Sequence, residues 1–124
     1  MNATPLRVAH VDDDEDLRAL VRVALELDGS CAVASCASGR EALRVIPAFH
    51  PDVILVDMMM PGMDGLETVA ALRERMPFDD VSVVFATGMD DAMGLSDLRR
   101  HGTVICKPFD ALGLAGRLHA LRGA

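Results

Sequence analysis

The run Val53-Ile54-Leu55-Val56-Asp57 limits what this chain can fold into more than any other stretch. Four apolar residues stand in a row, and three of them are β-branched. A half-exposed strand alternates apolar and polar positions. An unbroken apolar run predicts a strand covered on both faces, hence a sheet lying between two layers. The run then ends on a carboxylate. Burying an unpaired charge in such a core costs too much, so Asp57 is placed at the carboxyl end of the strand, on the lip of the sheet. Met60-Pro61-Gly62 and Asp64-Gly65 follow as turn residues. Open α/β sheets hold their ligands along that edge. Taken alone, Asp57 reads equally well as a residue that turns the chain. Polar groups converging on the same edge from elsewhere would separate the two.

The rest of the chain supplies them. Leu6 to Val11 reads as a first strand, ending in Asp12-Asp13-Asp14, with His10 as a packed strand residue. A helix follows, with Leu17, Leu20, Val21 and Ala24 as its apolar face, Asp14 as N-cap and Glu15 and Asp16 at the positive end of the dipole. Cys31 to Ala37 makes a less apolar strand suited to a sheet edge. Ser38-Gly39-Arg40-Glu41 has capping-box spacing and opens a helix running to about Pro47. Asp64-Gly65-Leu66-Glu67 resembles another capped start, for a helix with Val69, Leu72 and Met76 on its apolar face. Val81 to Ala86 is a fourth strand, closing on Thr87. A weakly patterned helix is expected from Asp91 to Arg100. Val104 to Cys106 is a fifth strand, closing on Lys107. Asp110 caps a last helix carrying Leu114, Leu118 and Leu121. Five strands alternating with five helices predict an α/β, flavodoxin-like (βα)5 fold. Its doubly wound parallel sheet has right-handed crossovers and strand order 2-1-3-4-5, with the least apolar strand at an edge.

Composition fits one domain over residues 1–124. With 51% hydrophobic and 25% charged residues the chain can build a core. A formal charge of −7 argues against a general nucleic-acid surface and suits a protein that holds a cation. No apolar run reaches membrane-spanning length and no signal peptide is evident, so no membrane insertion and a cytoplasmic location are expected. Cys31, Cys36 and Cys106 lack metal-ligand spacing and read as three buried thiols in a reducing compartment. The chain ends soon after the last helical pattern, so no attached effector domain is expected.

Four strands thus end at one edge on Asp12/Asp13, Asp57, Thr87 and Lys107. Carboxylates brought together there repel by about 4 kcal/mol per close pair at an effective dielectric of 20. A divalent cation removes that repulsion, and hard oxygen ligands suit Mg²⁺. An acidic nucleophile, a metal, a lysine and a hydroxyl make a phosphoryl-transfer site, with Asp able to carry the group as an acyl phosphate.

Over essentially its whole length the chain resembles the receiver domain of two-component response regulators, CheY-like in form. The motifs that carry the resemblance are Val11-Asp12-Asp13, Asp57-Met58-Met59-Met60-Pro61-Gly62-Met63-Asp64-Gly65, Ala86-Thr87 and Lys107-Pro108-Phe109. The resemblance implies that Asp57 is the phosphoacceptor. It implies Mg²⁺ bound by Asp13, Asp57 and the backbone carbonyl of Met59, with Asp12 acting through water. It also implies Lys107 paired with the phosphoryl group, Thr87 and Gly88 at the switch, and a cis bond between Lys107 and Pro108. The donor is then a phosphohistidine on a sensor histidine kinase or a histidine phosphotransfer protein. The chain would be a monomeric signalling switch that acts on a downstream protein, not an enzyme with external turnover. Hydrolysis would be tuned from Met59 and Met89, whose thioethers orient water poorly and crowd it out; a long-lived phosphoryl group follows.

The sequence departs from the family pattern in places. Gly88 stands where receivers usually carry Ala, and Val104 where they usually carry an aromatic. The stretch from Thr87 to Lys107 is a little shorter than usual. Phe85-Ala86-Thr87-Gly88 is similar to a bacterial receiver subgroup marked by that motif. Val104 cannot swing a ring, so the relay would fall to the backbone around Gly88 and the weakly patterned segment Asp90 to Gly102. The methionines at 58 to 60 and 63 read as loop packing, with a partner surface as the lesser reading. Two rival functions use the same residues. A small aspartyl-phosphate phosphohydrolase would draw on Asp12-Asp13-Asp14, but it leaves Asp57 unexplained and offers no substrate-covering cap. A pseudo-receiver that binds without phosphorylation is at odds with the intact Asp13, Asp57, Thr87 and Lys107 set.

Overall fold

The apolar run forms the middle of a five-stranded parallel sheet. The computed structural model describes residues 4–27, 29–88 and 95–123. Strands β1 (Leu6–Val11), β2 (Cys31–Cys36), β3 (Val53–Asp57), β4 (Ser82–Gly88) and β5 (Thr103–Lys107) lie in the order β2-β1-β3-β4-β5. Helices α1 (Glu15–Glu26), α2 (Gly39–Phe49), α3 (Gly65–Arg73), α4 (Leu95–Arg99) and α5 (Ala111–Gly123) connect and cover them. Every residue of β3 is buried, as its unbroken apolar run requires. In register, Val8 to Val11 pair with Val53 to Val56, and Val53 to Asp57 pair with Ser82 to Ala86.

Alternation along the strands feeds two cores, one on each face. Val8, Leu55 and Val84 pack with Val21 and Leu25 of α1 and Leu114 and Leu118 of α5. Ile54, Val56 and Phe85 pack with Ala42 and Ile46 of α2, Val69 and Leu72 of α3, and Leu98 of α4. Asp14 caps α1 by accepting from the Asp16 and Leu17 N–H groups. At α3, Asp64 and Glu67 form a reciprocal capping box. None of the helices among the described residues is long and apolar enough to cross a membrane.

Several local expectations are corrected. Leu20 does not join the buried face of α1; it is 54% exposed, with Val23 and Leu27 beside it in the solvent. The helix carries two overlapping apolar stripes. Val21 and Leu25 turn inward onto the core, and Arg18 donates to the Asp12 carbonyl at 2.8 Å. Helix α2 runs through Pro47 to Phe49, because near a helix end the missing N–H removes only one late bond. The Ser38 side of its predicted capping box forms, but Glu41 reaches back to the Ala37 N–H instead. Strand β2 stops at Cys36 rather than Ala37. Strand β4 continues past Ala86 to Gly88, and β5 spans Thr103–Lys107, since Thr87 and Gly88 pair with Cys106 and Lys107. Met76 lies beyond the end of α3 yet packs against the core. Cys31 and Cys36 are buried, but Cys106 is exposed on β5, the edge strand of the sheet among the described residues. Helix α4 is described only from Leu95, so residues 91 to 94 of the expected helix lie outside the described residues.

Candidate functional site

Because the five strands are parallel, their carboxyl ends arrive at one edge, and that edge carries the charge. β1 delivers Asp12, whose N–H still donates to the Cys36 carbonyl of β2. The Asp12 side chain is 1% exposed, and both its oxygens are engaged. Oδ1 accepts the Asp14 N–H at 2.9 Å, and Oδ2 accepts from Lys107 Nζ at 2.9 Å. Asp57, on the last residue of β3, is also buried. Its Oδ1 lies 3.3 Å from Lys107 Nζ and 3.4 Å from the Met59 N. One ammonium therefore sits between two buried carboxylates. Asp13 stands at the same place but exposed, and one oxygen each of Asp12, Asp13 and Asp57 fall within 4.8 Å of one another.

Burial, and then the charge of Asp12, raise the pKa of Asp57 above the ordinary carboxylate value, against the opposing pull of Lys107. Burial alone would lower Lys107, but its hydrogen bond to Asp12 and the charges of both carboxylates outweigh burial and raise it. The three carboxylates carry three formal charges against one from Lys107, leaving an excess of two negative charges in hard oxygen ligands. That donor set fits a divalent cation such as Mg²⁺, which would relieve the repulsion that raises Asp57.

The remaining expected residues reach the same edge with different exposures. Thr87 is buried, and its hydroxyl lies 3.5 Å from the Gly88 carbonyl oxygen. Gly88 ends β4 as an exposed residue with open space where a Cβ would project, so in this conformation Ala would fit. Val104 packs half-buried against the core on the α4 side. The cis peptide bond between Lys107 and Pro108 is present. Met60 is buried and Met58 packs beside it, whereas Met59 is 63% exposed. Met89 lies outside the described residues, as do residues 90 to 94 of the expected switch segment.

Two residues at the site escape sequence patterning. Arg18 holds the Asp12 carbonyl; its place one helical turn after Asp14 was the available signal. Gly65 reads as turn chemistry, but a Cβ there would stand 2.8 Å from the Asp57 carbonyl oxygen, so α3 can start against the end of β3 only with glycine. His10 is a packed strand residue as expected, and its Nε2 lies 3.9 Å from Asp12 Oδ2. Burial above all lowers its pKa to about 4, which leaves the imidazole neutral.

Comparison with known proteins agrees with this geometry. The family model of the response regulator receiver domain matches residues 8–119. Protein PilG of Pseudomonas aeruginosa is 31% identical over 117 residues, covering 93% of this chain and 86% of PilG. Response regulator MprA of Mycolicibacterium vanbaalenii is 38% identical over 86 residues, or 69% of this chain; the aligned part is 36% of MprA, so the chain spans about a third of that relative. A CheY-like receiver domain protein from Methanospirillum hungatei superposes with a TM-score of 0.80 at 30% identity, covering 94% of each chain. The order of the strands, the acidic edge with its lysine and these likenesses agree, and the chain belongs to the response regulator receiver domains, the phosphorylation-dependent signalling switches of two-component systems.

Proposed function

We propose that residues 1–124 act as one receiver domain that accepts a phosphoryl group on Asp57 from a phosphohistidine, on a sensor histidine kinase or a histidine phosphotransfer protein. The observation that carries this reading is Lys107 Nζ held between Asp12 and Asp57, 2.9 and 3.3 Å away, within an acidic cluster. Asp13, Asp57 and the Met59 carbonyl would hold Mg²⁺, with Asp12 acting through water. Bound there, the cation supplies neutralisation of charge on the phosphoryl oxygens. An Asp57 carboxylate oxygen attacks phosphorus and the P–N bond breaks. The electron pair leaves on the donor imidazole, which regains a proton. Lys107 then pairs with a phosphoryl oxygen, and the Thr87 hydroxyl, at the end of β4 beside Gly88, donates to another. Its own phosphotransfer and dephosphorylation are the only chemistry assigned to the chain. The monomer changes its affinity for a downstream protein.

Incubation with Mg²⁺ and a small-molecule phosphodonor, read by intact mass, is expected to add one phosphoryl group per chain, and excess chelator to prevent it. Full labelling in chelator, or repeated turnover of small phosphate esters, would overturn the reading. Met59 stands two residues past Asp57 and is 63% exposed, and a thioether at that place could crowd water but not orient it. Met59→Asn is therefore expected to speed loss of phosphate about tenfold, the effect of one oriented hydrogen bond of about 1.4 kcal/mol. An unchanged or slower decay, followed by mass against time, would contradict it.

A further inference from the structure

Asp13 is the member of the acidic cluster whose side chain nothing holds. It is exposed, and among the described residues its carboxylate makes no hydrogen bond and no ion pair. Yet one of its oxygens lies within 4.8 Å of an oxygen of Asp12 and one of Asp57. A ligand that must be ordered when the cation arrives weakens binding, because the lost freedom is charged against the affinity. Whatever aims Asp13 beforehand therefore acts through its backbone.

Both peptide groups that flank Asp13 are pinned. The peptide after it gives its N–H, that of Asp14, to Asp12 Oδ1 at 2.9 Å. The peptide before it offers the Asp12 carbonyl oxygen, which lies past Val11, the last paired residue of β1. That oxygen accepts from Arg18 Nη1 at 2.8 Å. Arg18 is half-buried near the start of α1, where its own N–H donates to the Asp14 carbonyl at 3.0 Å. Its side chain thus folds back across the turn that carries Asp13. On a helix surface water would satisfy the guanidinium, and holding so long a side chain in one place costs entropy. A charge that merely balanced the aspartates would compete with a divalent cation for them. Positioning and charge balance therefore predict opposite signs when Arg18 is removed.

The inference rests on the Mg²⁺-dependent acceptor reading. We propose that Arg18 is a positioning residue for the cation site. Through the Asp12 carbonyl it fixes the peptide before Asp13, and so aims the Asp13 carboxylate at the place it shares with Asp57. The guanidinium has no lone pair to offer a metal, so its effect runs through Asp13.

The test titrates ¹³C,¹⁵N-labelled wild type and variants with Mg²⁺ and follows the signals of Asp12 and Asp13. Arg18→Met keeps the apolar stem and removes the donor and the charge. The Asp12 carbonyl ¹³C signal is expected to move upfield, the mark of a lost hydrogen bond. Mg²⁺ is expected to bind about tenfold more weakly, the lower end of the cost of losing a group that holds a metal ligand. Should Arg18→Met fail to fold, Arg18→Gln, also neutral and two atoms shorter, takes its place. Arg18→Lys keeps the charge on a side chain one atom shorter. Its affinity is expected to follow its Asp12 carbonyl signal, whether that signal is kept or lost. Asp13→Asn checks the route. In that background Arg18→Met is expected to change the affinity by less than about twofold, because the carboxylate it aims is gone. Equal or tighter Mg²⁺ binding by Arg18→Met, an unmoved carbonyl signal, or equal losses with Asp13 and with Asp13→Asn would overturn the inference. Each of these leaves Asp57 as phosphoacceptor untouched. A wild type that binds no Mg²⁺ and takes no phosphoryl group would overturn both.

Discussion

Asp57→Asn is expected to abolish phosphoryl uptake and, at the same time, to make the protein more stable. The substitution keeps the shape of the side chain and removes the charge. Loss of uptake follows because the amide oxygen is a poor nucleophile. The gain in stability follows from the electrostatics. Burial and Asp12 raise the pKa of Asp57 in the folded state, so the fold holds the Asp57 proton more tightly than the unfolded chain does. A group shifted that way contributes stability below its unfolded pKa and loses that contribution as pH rises through the folded value. At neutral pH the ionised Asp57 is thus a burden on the fold, which Asn lifts. About 1–2 kcal/mol is a reasonable size for relief of one partly screened like-charge contact, or about 4–8 °C in Tm for a domain of this length. The advantage of Asn should shrink as pH falls into the ordinary carboxylate range, where the folded protein takes up the Asp57 proton before the unfolded chain does, and should grow as pH rises. Unfolding curves of both proteins at pH 4 and pH 7.5 check it. A variant no more stable than wild type at the higher pH would contradict the charge argument.

The same energetics explain what patterning of the sequence could and could not locate. Asp57 is legible because it ends a run that must be buried, and a charge after such a run has only one place to go. Lys107 and Thr87 are legible for the same reason, each closing a short apolar strand. In a parallel sheet, strand ends meet without any knowledge of side-chain contacts. The weak hydrophobicity of Cys31 to Ala37 places that strand at an edge, and with right-handed crossovers the order 2-1-3-4-5 satisfies both limits. Features that depend on rotation or close approach were not legible. Leu20 and Val21 are both apolar, and which of them faces inward depends on how α1 packs against the sheet and α5. Gly65 looks like any turn glycine until the Asp57 carbonyl is seen 2.8 Å from its absent Cβ. His10 sits in a strand where period-2 counting gives only its face, and its distance from Asp12 depends on the side-chain geometry. Cys106 is exposed on the edge strand β5, which apolar counting cannot register.

Lys107→Met is expected to be among the most destabilising single substitutions at the site. Methionine keeps the apolar stem and removes the ammonium, leaving Asp12 and Asp57 facing each other with no cation between them. Asp12 is 1% exposed, so its charge cannot be handed to water. Breaking a fully buried pair costs about 3–5 kcal/mol. The Lys107 side chain is 25% exposed and partly solvated, which lowers the expected loss to about 2–4 kcal/mol. The pKa of Lys107 is raised in the fold, so this contribution is complete below its ordinary value of 10.5 and fades only as pH climbs through the folded value. The deficit should therefore be flat from pH 7 to 9. Two further measurements separate lost charge balance from lost packing. In the double variant with Asp57→Asn, part of the loss should disappear, because one of the two stranded carboxylates is gone while Asp12 stays buried, so the two changes are non-additive. Mg²⁺ should also stabilise Lys107→Met more than wild type, since the cluster then offers three carboxylates with no internal cation. Additive losses in the cycle, with equal responses to Mg²⁺ in denaturant titrations, would place the role of Lys107 in packing and not in holding the two aspartates together.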